Sequence, residues 1–332
     1  MRSKEIGSEF YDIPILDRDN LIFNDETKWF VSGRSALDFV IKDIKSKKDV
    51  KTATLPSWCC DSMIEPFIRN NIEVGFYSVI YKNNKLIKDI ENVDSDILLN
   101  MDYFGYEDNN QIKFNGIVIN DITHSMFVDS KEYDYTIGSL RKWAGFKTGG
   151  FASCKDVFKL KQSNNVPDEY IKLRTIAMNK KTKYINNEID TKDFLNDYSK
   201  AEEMLNGLYD YSGYIDDIQK AKKLDFISIK KKRQVNAKRL LETAKEYAIF
   251  KEVKENDCPL FVPILVENRD ELRKHLISKN IYCPVHWPIS SLHKLSDEER
   301  YIYDHEISLV CDQRYNLEDM DYICECIKEF KC

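Results

Sequence analysis

The chain has 332 residues, of which 42% are hydrophobic and 32% charged. That length holds about two domains, and the apolar share builds a sizeable core, which excludes a small binding module and a disordered chain. Fifty Lys and Arg against 56 Asp and Glu leave a net charge of −6, so no overall positive field draws the molecule to nucleic acid or to an anionic membrane.

Residues 1–16 begin with charge but contain no run of the roughly seven apolar residues that a secretory leader needs. No stretch approaches the ~20 apolar residues of a membrane span. The nine cysteines, Cys59, Cys60, Cys154, Cys258, Cys283, Cys311, Cys324, Cys326 and Cys332, follow no repeating spacing. The closest groupings, Cys59-Cys60 and Cys324-x-Cys326, are not the Cys-x-x-Cys pairs of a structural zinc site, so neither a disulfide framework nor a metal site is expected. Reduced thiols make the cytoplasm the expected compartment.

In chain order, Leu37, Val40, Ile41 and Ile44 recur at helical spacing after Gly33 and Ser35, which predicts a helix following a tight glycine turn. Short apolar runs then alternate with polar joints: Thr52–Leu55, Val74–Tyr77, Ile97–Leu99 and Ile117–Ile119, the last ending at Asp121. These read as buried strands, and Asp61–Asn70 between the first two reads as a helix. Strand, helix, strand is the order of an α/β domain with a largely parallel sheet. From Lys192 to Tyr247 the chain turns charged and helical, and strand character returns at Leu260–Val266. Asn268 and Glu271 have the spacing of an N-cap and its N3 carboxylate. A last helix is expected from Leu317 to Phe330. The expected organisation is an N-terminal arm (1–25), a large domain (26–234) and a smaller C-terminal α+β domain (235–332).

The strand at Ile117–Ile119 leads into Asp121 and His124, which places a carboxylate and an imidazole where parallel sheets bind ligands. Another short strand from Tyr135 runs into Ser139 and Lys142, with Gly149 and Gly150 beyond. A lysine whose surroundings lower its pKa forms Schiff bases, and an aspartate beside a pyridine nitrogen keeps that nitrogen protonated. Together they are the two halves of a pyridoxal phosphate site.

With these residues the chain resembles the fold-type I pyridoxal-phosphate enzymes, and within them the DegT/DnrJ/StrS sugar aminotransferases. The likeness runs nearly full length and rests on Ser32–Leu37, Leu55–Trp58, Asp121–His124, Ser139–Lys142 with Gly149 and Gly150, and Pro263–Val266 with Asn268 and Arg269. Many members space the serine and lysine further apart than Ser139 and Lys142. The resemblance implies that Lys142 is the Schiff-base lysine, that Asp121 partners the pyridine nitrogen and that His124 lies against the ring. It implies a phosphate cradle at Gly33, Arg34, Ser35 and Ala36, where a helix start offers unsatisfied N–H donors, with Ser139 adding a hydroxyl. Trp58 corresponds to the aromatic that stacks on the ring, although a tryptophan beside two cysteines equally fits core packing. His286, between Pro284 and Pro288, corresponds to a segment near the substrate.

The resemblance further implies a homodimer, glutamate as amino donor and a keto sugar nucleotide as acceptor. Lys147 is the second candidate nucleophile. Arg141, Lys147 and the run Lys230–Arg233 are candidate contacts for an acceptor's diphosphate, the run also fitting an ordinary solvated face. Two other functions fit the same residues. A lyase or desulfurase would need a reactive thiol or a carboxylate-binding arginine; Cys59 and Cys60 are the thiol candidates, but their apolar flanks favour buried packing. A catalytically silent homologue would keep the scaffold alone.

Overall fold

Apolar runs of four or five residues, flanked by polar joints, become the strands of a central seven-stranded sheet. The computed structural model describes residues 3–20, 22–108, 112–128 and 132–330. Strand β1 (Ile6–Gly7) precedes β2 (Lys28–Phe30), helix α1 (Gly33–Lys47), β3 (Thr52–Pro56), α2 (Asp61–Arg69) and β4 (Glu73–Tyr77). A hairpin of β5 (Val79–Lys82) and β6 (Lys85–Lys88) leads to β7 (Ile97–Met101), β8 (Ile117–Asp121), β9 (Tyr135–Ser139) and β10 (Gly150–Cys154). Four helices follow: α3 (Asp168–Ile185), α4 (Phe194–Leu205), α5 (Ile215–Lys222) and α6 (Phe226–Ala244). The chain ends with β11 (Val262–Leu265), α7 (Arg269–Ser278), β12 (Ile281–Tyr282), α8 (Asp297–His305), β13 (Glu306–Leu309) and α9 (Leu317–Phe330).

The sheet order is β2-β10-β9-β8-β7-β3-β4. All pairs from β9 across to β4 are parallel, and β10 runs antiparallel to both of its neighbours. The fold is therefore α/β with a mostly parallel sheet. Because β4 and β7 lie on opposite sides of β3, the chain reverses its direction of winding there, and such a point opens a crevice at the carboxyl ends of the strands.

Helix α1 packs Leu37, Val40, Ile41 and Ile44 into the main core against the sheet. Gly33 is its first residue, preceded by an extended Ser32 N-cap, so the expected glycine turn ahead of the helix is replaced by a serine cap. The helical stretch after the sheet begins with α3 at Asp168, earlier than the charged run from Lys192 suggests. Asn268 does precede α7, but its side chain makes no capping bond; the capping box forms at Ser296 and Glu299 of α8.

A second core joins α6, β11, α7, β13 and α9, and includes Ile6 from the N-terminal segment. Strand β1 pairs with β12 in that layer, Ile6 opposite Ile281. The expected boundary between residues 234 and 235 falls within α6. Among the described residues no helix is long and apolar enough to cross a membrane, no cluster of potential metal ligands forms, and the eight described cysteines are free.

Candidate active site

The carboxyl ends of β7, β8 and β9 and the start of α1 surround a cavity of about 540 Å³. Gly150 brings α1 there. A Cβ on it would lie 2.0 Å from the Ser32 carbonyl oxygen, and Gly149 before it holds φ +140°, so the two glycines let β10 run against the helix cap. Ser32 Oγ accepts from the Ser35 N–H at 3.2 Å, and the Ala36 N–H donates to the Ser32 carbonyl. The N–H groups of Gly33 and Arg34 come before the first possible intrahelical bond and stay unspent by it. They lie beside β9, with the Gly33 Cβ direction 3.5 Å from Ser139 Cβ.

This corrects the expected cradle. Ser35 is buried, its hydroxyl donating to the Leu208 carbonyl at 2.6 Å, and Ala36 packs in the core; neither lines the cavity. Ser32, Gly33, Arg34 and Ser139 do.

Asp121 ends β8, paired in register with Met101 and Ile137. Its Oδ1 accepts the Thr123 N–H at 2.8 Å. Burial pushes its pKa up to about 6, and no cation among the described residues offsets this. His124 lies between Phe104 and Trp287, with ring centroids at 5.0 and 5.4 Å. Its Nδ1 is buried with no hydrogen-bond partner, and burial, then His286 and Lys142, hold its pKa well below the ordinary histidine value. Lys142 ends a single 3-10 turn after β9 and is exposed at the cavity. Arg141 beside it pairs with Glu202 of α4, which also meets the buried Arg174 at 3.4 Å.

Other expectations require correction. Trp58 is fully buried, stacked on Tyr103 at 4.9 Å, and its Nε1 donates to the His286 carbonyl at 2.6 Å. It stands behind the wall, and the tryptophan that lines the cavity is Trp287. His286 is likewise behind it, bonded to Ser308 and buried. Lys147 pairs with Asp217 at 3.4 Å and is not among the residues that line the cavity. Arg233 is buried and donates to the Pro259 and Leu260 carbonyls, which removes it from any solvated face. Lys230 approaches the Phe127 carbonyl at 3.5 Å.

Sequence reasoning missed Ser32, Thr123, Trp287 and Glu202. Ser32 carried a signal, since it stands at N-cap spacing from Ser35. Glu202 carried none, because α4 reaches the site only through tertiary packing. Cys59 is buried in the core, and burial raises its thiol well above the ordinary value. Cys60 lines the cavity, with Sγ 2.9 Å from Ser62 Oγ, and burial raises it too. Thiols raised in this way are poor nucleophiles.

The buried Asp121 carboxyl without a cation, the unpartnered His124 Nδ1 and the free helix N–H groups are the complements of a protonated ring, a ring substituent and a phosphate. The residues present therefore fit pyridoxal phosphate. No family model and no curated protein sequence matches the chain. Among solved structures, it is similar to PseC of Helicobacter pylori, an aminotransferase of pseudoaminic acid biosynthesis, at 14% identity over 97% of this chain and 99% of that one, TM-score 0.60. A DegT DnrJ EryC1 StrS aminotransferase from Brucella abortus is similar at 14% identity over 92% and 85% of the two chains, TM-score 0.58. A GDP-4-keto-6-deoxymannose-3-dehydratase holding a PLP–glutamate geminal diamine is similar at 16% identity over 90% and 87%, TM-score 0.60. The chain has the fold of these fold-type I sugar aminotransferases and their dehydratase relative.

Proposed function

We propose that the protein is a pyridoxal-phosphate-dependent aminotransferase that takes an amino group from an amino acid such as glutamate and passes it to a keto sugar nucleotide. The observation that carries this reading is a single cavity. It gathers an exposed amine (Lys142), a buried carboxyl with no cation (Asp121), a buried imidazole with a bare nitrogen (His124) and the free start of α1.

In this reading Gly33, Arg34 and Ser139 hold the phosphate, the first two through backbone N–H groups at the positive end of α1. Asp121 pairs with the pyridine nitrogen, an ion pair that brings its raised pKa back toward the ordinary range. His124 and Trp287 bound the ring. Lys142 would anchor the cofactor, and its free amine would move the proton at the donor's alpha carbon. Bound pyridoxal phosphate supplies the electron sink for the carbanion formed there. Residues 26–234 then form the cofactor-binding domain and 235–332 the smaller one. The protein works as a homodimer in the cytoplasm, as the resemblance implies.

The raised thiols of Cys59 and Cys60 count against a desulfurase. Borohydride reduction of protein supplied with cofactor, followed by peptide mass mapping, should place the label on Lys142, and glutamate should convert the bound cofactor to its amine form. A label elsewhere, or no conversion with any amino donor, would remove the reading. A lyase would release product without net conversion, and a silent homologue would do neither.

A further inference from the structure

Behind the cavity wall lies a chain of buried polar groups that the proposed reaction does not use. His286 Nδ1 is 3.0 Å from Ser308 Oγ, and Ser308 Oγ donates to Glu306 Oε1 at 2.5 Å. The other carboxyl oxygen, Oε2, accepts the backbone N–H of His286 at 2.6 Å. Glu306 and Ser308 are completely buried on β13, and His286 nearly so. The His286 ring meets the His124 ring edge to face at 5.3 Å and the Trp287 ring at 5.3 Å, and both of those rings line the cavity.

We propose that Glu306 is a positioning residue that, acting through the Ser308 hydroxyl, sets which nitrogen of His286 carries the proton at the wall of the site. A serine hydroxyl has one proton to donate. When Glu306 is ionised, Ser308 gives that proton to Oε1 and offers His286 only lone pairs. His286 must then carry its proton on Nδ1 and leave Nε2 bare. When Glu306 takes up a proton on Oε1, that O–H donates to Ser308 Oγ, and the Ser308 hydroxyl turns to His286. Nδ1 is then the acceptor and the ring proton sits on Nε2. The imidazole holds one proton in both states, and the only proton gained or lost is that of Glu306.

The surroundings keep the chain in this regime. Burial holds the His286 pKa down to about 3, with the Lys142 charge adding to it, so the ring stays neutral. Burial pushes Glu306 up to about 8 against the bonds from Ser308 and His286 and the charge of Arg269. Arg269 of α7 spends one nitrogen on the Tyr303 and Glu306 carbonyls. On the remaining sides stand Leu265 of β11, opposite Glu306 in register, Cys283, whose thiol is pushed up to about 12, and the neutral His124. His305, next to Glu306, turns to Glu267 at 3.2 Å.

The coupling of Glu306 to the His286 tautomer follows from the hydrogen-bond chain through Ser308, whereas its effect on the reaction rests on the aminotransferase reading. The test therefore uses the full chain labelled with ¹⁵N-histidine and no added cofactor, with the five histidines assigned by single replacements. In the wild-type protein His286 should carry its proton on Nε2 at about pH 6 and on Nδ1 at about pH 10. Glu306→Gln, whose amide N–H₂ donates to Ser308 as the acid would, should lock the Nε2–H form at both pH values. Ser308→Ala should uncouple the ring from pH. A wild-type tautomer that does not change, or one that still switches in either variant, overturns the proposal, and the wild-type titration decides even if the variants fold poorly. With cofactor and glutamate, Glu306→Gln should flatten the alkaline limb of the half-reaction rate while leaving the donor KM within about twofold. A protein that proves inactive would remove the aminotransferase reading and leave the tautomer result standing.

Discussion

Asp121 is a carboxyl group at the end of β8 with the Thr123 N–H as partner and no cation. Its pKa rises from an ordinary 3.8 to about 6, so between those values the folded chain binds a proton that the unfolded chain has released. Stability contributed by this site then falls as pH rises through that window, by about 3 kcal/mol at most. Urea unfolding of the cofactor-free protein should show a smaller loss between about pH 4 and pH 6.5 in Asp121→Asn than in the wild type. Added pyridoxal phosphate should reverse the effect at neutral pH, since a ring cation favours the carboxylate. It should raise the wild-type Tm by several degrees and that of Asp121→Asn by less. Half-transamination by Asp121→Asn should fall about a hundredfold or more while the cofactor still binds. Equal pH slopes together with wild-type turnover would show that Asp121 does not hold the pyridine nitrogen.

The start of α1 is built by two sequence-distant elements, and each can be tested. Ser32→Ala removes the acceptor for the Ser35 N–H, which should cost about 1 kcal/mol of stability. Gly150→Ala places a methyl 2.0 Å from the Ser32 carbonyl oxygen, so β10 or the helix cap must move. Its cofactor affinity, read by spectroscopic titration, should fall about tenfold or more, and an unchanged affinity would show that the cap does not hold the phosphate. Helices such as α1, α2 and α9 were legible in the sequence because each buries one apolar stripe at a period of 3.6. Strands β3, β4, β7 and β8 were legible as short apolar runs between polar joints. Strands β2 and β10 were not: the pairing of β2 depends on β10, over a hundred residues away, and β10 is a short antiparallel strand beside β9 that shows no apolar run in the sequence. The β5–β6 hairpin did carry a signal in Asn83 and Asn84, which hold φ of 53° and 60° at its turn. Within the site, Asp121, His124, Ser139 and Lys142 come together because each sits at or just past a parallel strand's carboxyl end. Trp58 and Trp287 could not be told apart in advance. Both follow a proline or strand end, and which one faces the cavity is decided by the packing of Tyr103 against Trp58.

A chain of net charge −6 must gather local cations to bind an acceptor that carries a diphosphate. Lys147 and Arg233 are spent on Asp217 and on backbone carbonyls, which leaves Arg141 and Arg34 as cavity cations besides Lys142. Arg141 is already paired with Glu202, and Glu202 is also held by Arg174. A diphosphate therefore competes with a carboxylate that has a second cation to fall back on, and the exchange costs less than breaking an isolated pair. Arg141→Gln should raise the KM of a sugar-nucleotide acceptor about tenfold and weaken its dependence on salt. The half-reaction with glutamate should stay near the wild-type rate, because the donor carries no diphosphate. Lys147→Gln should leave the acceptor KM unchanged, since that side chain lies outside the cavity. If uncharged keto compounds serve as well as sugar nucleotides and Arg141→Gln affects neither, the acceptor bears no diphosphate. The cavity would then belong to an aminotransferase of small keto compounds.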